Sequence, residues 1–131
     1  MTSTTALRLW LPVAVWAALI FALSSVPDLG TGLGTWDLVL RKLAHTGEYA
    51  VLGALLLRAL RRPLPAAGLA IAYAASAEVH QSFVAGRQGR PLDVLIDAAG
   101  VLAGVLLYRA WRSSRLPGAP LAARGRRGQY E

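Results

Sequence analysis

The sequence predicts an all-α, integral membrane four-helix bundle, and three observations lead there. Four apolar runs divide the chain, each close to the twenty residues that carry a helix across a hydrocarbon core of about 30 Å. Six of the seven acids (Asp28, Asp37, Glu48, Glu78, Asp93 and Asp97) fall at one end of those runs. Ten of the fourteen basic residues fall at the opposite ends, where the only acid is Glu131 at the C-terminus. One end is therefore plain and basic and the other is chemically loaded. Acids at membrane depth are expensive, so a cluster of them marks a candidate functional site.

The bulk numbers narrow the function classes. The chain has 131 residues, 55% of them hydrophobic, and no cysteine. One domain over residues 1–112 with a basic tail over 113–131 is the expected organisation. Without cysteine there is no disulfide framework, thiolate metal site or cysteine nucleophile. A net charge of +7 would suit nucleic acid. The bases sit in short segments between apolar runs, however, and form no stripe on a soluble fold, so no nucleic-acid partner is expected.

Span one covers about residues 7–25. Arg8, an apolar centre and the small-residue sequence Ala22-Leu23-Ser24 also fit a signal peptide. The apolar stretch from Leu9 to Leu23 is long for that role, and Trp10 and Trp16 suit a retained helix. Residues 26–36, with Pro27 and three glycines, read as a loop, with Asp37 near the start of the next helix. The glycines lack the spacing of a phosphate-binding loop. Span two covers about residues 42–60, and Arg62-Pro63 makes a tight turn into span three, about 64–84. Span four covers about residues 92–111. Only spans one and four are near-continuous apolar stretches; spans two and three need Glu48 and Glu78 shielded inside the bundle. Counting Lys and Arg places both termini in the cytoplasm and the acidic end outside. The tail from Ser113 onward, rich in Pro, Gly, Ala and Arg, is expected to be disordered and to lie near anionic headgroups.

The polar residues form stripes. Lys42, His45 and Tyr49 recur at i, i+3 and i+7, with Glu48 three after His45. Glu78 and Gln81 share a face of span three, while His80 faces elsewhere. Asp93, Asp97, Gly100 and Gly104 make one stripe of span four, and the two glycines form a GxxxG that lets another helix approach closely. At 1.5 Å per residue, Glu48 and Asp97 lie roughly 7–9 Å inside their helix starts, and Glu78 lies about as far from the end of span three. Lys42, Arg87 and Arg90 sit above that layer, and Ser24 and Ser25 close span one at a similar level.

Three chemistries compete for the layer. It can be a structural network in which paired charges hold the helices in register. It can be a pocket for an anionic head group, with Arg87, Arg90 and Lys42 on phosphate and His45 or a carboxylate moving protons. It can be a divalent metal site built from His45 with Glu48, Glu78, Asp93 and Asp97. No H-x-x-x-H or H-E-x-x-H spacing supports the third, so no metal and no other cofactor is expected. A proton or ion pathway is disfavoured because the inner half of each span is apolar.

At these residues the chain resembles the VanZ-like family of small bacterial membrane proteins. The matching pieces are Phe21, Ser24, Ser25 and Pro27 at the end of span one, and Lys42-x-x-His45-x-x-Glu48-Tyr49 in span two. Span three carries Glu78-x-x-Gln81-x-Phe83-x-x-Gly86-Arg87, and span four opens on Asp93-x-x-x-Asp97-x-x-Gly100. Their order and spacing run from about residue 9 to 110. Two positions depart from the family pattern: Ala77, where an acid often stands, and Asp97, where Asn often stands. The resemblance implies a protein of the bacterial cell envelope, in a family whose namesake is linked to reduced susceptibility to teicoplanin. The expected function is recognition, and on a wider reading processing, of an anionic lipid or cell-wall precursor head group in an outward-facing polar pocket. The alternative is a non-enzymatic structural protein, with or without a membrane-protein partner, whose polar layer only fixes helix packing. The expected pocket residues are Lys42, His45, Glu48, Tyr49, Glu78, Gln81, Arg87, Asp93 and Asp97, supported by Ser24, Ser25, Gly100 and Gly104. Oligomeric state is not readable from the sequence.

Overall fold

The computed structural model describes residues 2–27, 32, 34–87 and 89–115. Asp28 and the tail beyond Arg115 lie outside the described residues. Four helices are present and no strand appears among the described residues: α1 (Ser3–Ser24), α2 (Thr35–Leu60), α3 (Pro63–Gln81) and α4 (Pro91–Arg115). At 1.5 Å per residue they are roughly 29–39 Å long.

The boundaries differ from the sequence expectation in four places, the first being that α1 begins at Ser3, four residues before the expected start. Helix α2 begins at Thr35, seven residues before the expected start, so the loop is shorter and Lys42 lies two turns inside the helix. The early start is stabilised locally: Asp37 sits in the first turn, where a negative charge suits the helix dipole, and pairs with Arg41 one turn on at 2.5 Å. Helix α3 stops at Gln81, and residues 82–86 continue as turns that use the left-handed φ of Gly86, +76°. Helix α4 runs to Arg115, so Ser113, Ser114 and Arg115 are helical where a disordered tail is expected.

Connectivity is up-down-up-down, with α2 and α3 central and α1 and α4 on opposite flanks. Helix α1 packs on α2 and α3 and makes no contact with α4 among the described residues. The α2–α3 turn is as short as expected: Arg61 caps α2 with φ +58°, and Pro63 opens α3 at a position where its missing N–H costs nothing.

The tightest packing joins the parallel pair α2 and α4. A Cβ on Gly100 would lie 2.5 Å from the Thr46 carbonyl oxygen, and one on Gly104 would run into the carbonyl of Ala50. Gly53 of α2 answers from the other side, where a Cβ would come within 2.8 Å of the Val101 carbonyl oxygen. Both helices thus give up side chains so that their backbones can touch, the usual way helices associate when lipid offers no hydrophobic drive. Helix α3 does the same with alanine: Ala66, Ala70, Ala74 and Ala77 are all buried on one stripe.

Helix α1 is held more by hydrogen bonds. Trp16 Nε1 donates to the Glu48 carbonyl at 2.9 Å, and the Tyr73 hydroxyl donates to the Ala17 carbonyl at 2.6 Å. Pro12, inside α1, has no N–H for the Arg8 carbonyl one turn earlier. That carbonyl accepts a bond from Arg58 Nη2 at 3.0 Å instead. The outer faces of α1 and α4 are apolar and exposed, with Leu11, Val15, Leu19, Leu102 and Leu106 among the exposed side chains. These two helices are long and apolar enough to cross a membrane; α2 and α3 do not meet that measure.

Candidate functional site

The acid-rich ends of α2, α3 and α4 meet around a pocket of ≈410 Å³. Leu38, Arg41, Lys42 and His45 line it from α2, and Glu78 and Gln81 from α3. Gly86, Arg87 and Arg90 line it from the α3–α4 connection, and Asp93, Ile96 and Asp97 from α4. Helix α1 contributes nothing to this wall.

Local sequence explains how the wall is built. Lys42 and His45 lie one turn apart on α2, and Asp93 and Asp97 one turn apart on the parallel α4, so the two pairs face each other in register. The Lys42 ammonium donates to Asp93 Oδ1, and His45 Nδ1 lies 3.9 Å from Asp97 Oδ1. One turn deeper the glycine contacts begin, which places both charged pairs just above the closest approach of the helices. Beyond α3 the chain folds back over the helix end, and the backbone N–H of Arg90 donates to Glu78 Oε2 at 3.2 Å. That return depends on Gly89, because a Cβ there would collide with the Glu78 carbonyl.

Of the expected site residues, the structure brings together Lys42, His45, Glu78, Gln81, Arg87, Asp93 and Asp97. Glu48 and Tyr49 lie outside the lining. They are one turn deeper on α2, where Tyr49 is wholly buried with its ring centroid 6.5 Å from that of His45. The backbone carbonyl of Glu48 takes the Trp16 bond from α1. Ser24 and Ser25 also lie elsewhere, fastening α1 to α3. Gln81 Nε2 donates to Ser24 Oγ at 3.3 Å, and Ser25 Oγ sits 3.1 Å from His80 Nε2, whose ring packs on Phe21. Gly100 and Gly104 support the wall by letting α4 reach α2. Arg41 and Leu38 are lining residues that the sequence reading did not single out. Their signal was the Asp37–Arg41 spacing, which marks a helix already under way before Lys42.

Two side-chain atoms of lining residues are buried with no hydrogen-bond partner among the described residues. One is Arg87 Nε, a donor, and the other is Asp97 Oδ2, an acceptor. Asp97 is 1% exposed. The outer part of Arg87 is tied down, with Nη2 donating to the Leu23 carbonyl of α1 at 3.3 Å. Among the described residues, His45, Glu78 and Asp97 place one potential ligand atom each within 4.8 Å of one another.

The chain matches the VanZ/LLP1 family over residues 3–112, which takes in all four helices except the last turn of α4. It belongs to that family. Membership of the VanZ/LLP1 family gives a coarse link to glycopeptide resistance and, with the two apolar helices, suggests a membrane protein. No curated protein and no solved structure matches the chain.

Proposed function

We propose that this VanZ/LLP1 member spans the bacterial cell membrane with four helices and binds a net-anionic phosphate head group, of a lipid or a lipid-linked envelope precursor, in the pocket at its acid-rich end. The observation that carries the reading is Arg87 Nε, a buried donor of the pocket lining with no hydrogen-bond partner among the described residues. A buried polar group left unmade costs about 1–3 kcal/mol, so a donor left so favours an anionic ligand that accepts from it. Arg87 supplies a guanidinium suited to phosphate oxygens, with Arg41, Lys42 and Arg90 adding positive potential around it. The apolar flanks of α1 and α4 would set the pocket at the lipid–water boundary, where head groups lie.

The test is binding of the detergent-purified protein to nanodiscs containing phosphatidic acid or undecaprenyl phosphate, against phosphatidylcholine alone. Arg87→Gln is expected to weaken phosphate-lipid binding by at least tenfold and leave the melting temperature within a few degrees. Equal binding to all three lipids would defeat the reading.

Orientation belongs to the same proposal. The ten-to-four split of basic residues puts both termini in the cytoplasm and the pocket outside. A C-terminal fluorescent reporter that folds only in the cytoplasm is expected to be bright, and a C-terminal phosphatase reporter inactive. The reverse result would turn the pocket inward.

The scaffold alternative has one observation in its favour. Both charged contacts between α2 and α4, Lys42 with Asp93 and His45 with Asp97, lie directly above the glycine contacts and could serve only to fix helix register.

A further inference from the structure

We propose that His45, Glu78 and Asp97 bind one divalent transition-metal ion of the zinc or manganese class. Each residue comes from a different helix, α2, α3 and α4, and their donor atoms lie within 4.8 Å of one another. Donors bound to one such ion at about 2.0–2.2 Å stand roughly 3–3.5 Å apart. Closing the three by roughly an ångström needs only side-chain rotation, and mutual repulsion holds the two carboxylates apart when no cation separates them.

An independent observation points to a ligand here. Asp97 is 1% exposed and its Oδ2 is buried without a partner. Its other oxygen faces His45 Nδ1 at 3.9 Å, beyond hydrogen-bond reach. Lys42, the ammonium at this wall, is engaged by Asp93. The protein thus buries a carboxylate deeply and gives it no donor, and a bound cation supplies what the side chains withhold. Glu78 is prepared in the complementary way: the Arg90 N–H holds Oε2, which orients the carboxylate and leaves its other oxygen for the ion.

The donor set selects the class of metal. One imidazole nitrogen with two carboxylates is too few oxygens for calcium and too nitrogenous for magnesium, and it suits zinc or manganese. Three protein ligands would leave further coordination positions, and all three ligands line the same pocket as Arg87. An ion there would offer phosphate oxygens a second positive partner. The inference extends the head-group reading and does not depend on it.

The test uses the full chain purified in detergent, stripped with EDTA, and titrated with Zn²⁺ and Mn²⁺ by calorimetry and with Co²⁺ by visible absorption. One equivalent is expected to bind, raising the melting temperature, with Mg²⁺ at least a hundredfold weaker. Asp97→Asn and His45→Gln should each weaken Zn²⁺ binding by at least a hundredfold, while His80→Gln, which removes a ring held by Ser25 and Phe21 away from the pocket lining, should not change it. No saturable binding up to 1 mM, undiminished binding by Asp97→Asn, or equal loss in His80→Gln would overturn the site. If the site variants fold poorly, His80→Gln leaves His45 as the one imidazole of a chain with two histidines. Pulsed EPR of that variant loaded with Mn²⁺ should then show nitrogen coupling, and its absence would overturn the proposal. Nanodisc binding by the EDTA-treated protein scores the head-group reading separately, so either idea can fail alone.

Discussion

Replacing Gly104 by leucine is expected to abolish folding of the bundle. Even one added carbon would collide with the backbone carbonyl of Ala50, and backbone cannot rotate away as a side chain can. Relief requires α4 to move off α2, which breaks the Thr46–Gly100 and Gly53–Val101 contacts and pulls Asp93 and Asp97 from Lys42 and His45. The cost should exceed the 1–3 kcal/mol typical of overpacking in a core. Gly47→Ala is the control, since that glycine is on the facing helix α2 but a Cβ there meets nothing within 4 Å. It should be neutral or stabilising by up to about 1 kcal/mol. Folded yield by size exclusion and thermal unfolding in detergent measure both. A Gly104→Leu protein that melts like wild type would mean that α4 does not pack on α2 through its glycines.

The second large effect separates pocket from scaffold. Glu78→Gln is expected to abolish head-group binding while changing stability by less than about 1 kcal/mol. Its amide oxygen can still accept from the Arg90 N–H, and the volume is unchanged, so little of the folded structure is lost. Lys42→Gln should behave differently. It removes the partner of Asp93, and the partial exposure of both side chains limits the damage to roughly 1–3 kcal/mol, below the 3–5 kcal/mol of a fully buried pair. Adding Asp93→Asn should then recover part of the loss. Melting temperatures and nanodisc binding of the three variants are the readout. A Glu78→Gln protein that fails to fold would favour the scaffold reading, and a stable one that still binds phosphate lipid would remove Glu78 from the site.

The sequence made much of the site legible because its polar residues repeat at helical spacing. Seven of the nine expected pocket residues line one cavity, since i, i+3 and i+4 partners share a face whatever the helix packs against. Glu48 and Tyr49 fell outside because the face of α2 is shared between two neighbours. The Glu48 backbone carbonyl meets α1 and Tyr49 goes into the core, and periodicity along one helix does not say which neighbour each turn meets. Arg41 and Leu38 were missed for a different reason. The glycines before them suggested a loop, and the Asp37–Arg41 pair that starts α2 early carries little weight against hydropathy. The sequence offered His45, Glu78 and Asp97 together with Glu48 and Asp93 as possible metal ligands, and spacing within one helix could not pick out these three because each comes from a different helix.

By itself the sequence determined four helices, their alternating direction, a loaded end and a plain end, and a glycine stripe on α4. These follow from hydrophobic run length, charge position and the 3.6-residue period, which are local properties of the chain. Tertiary structure alone decided that α2 is the partner of that stripe, that α1 stands apart from α4, and that Asp97 is buried with one oxygen unpartnered. Those outcomes depend on how closely backbones can approach, and that distance is set jointly by residues on two helices, Thr46, Ala50 and Gly53 against Gly100, Val101 and Gly104. No single helix carries the information.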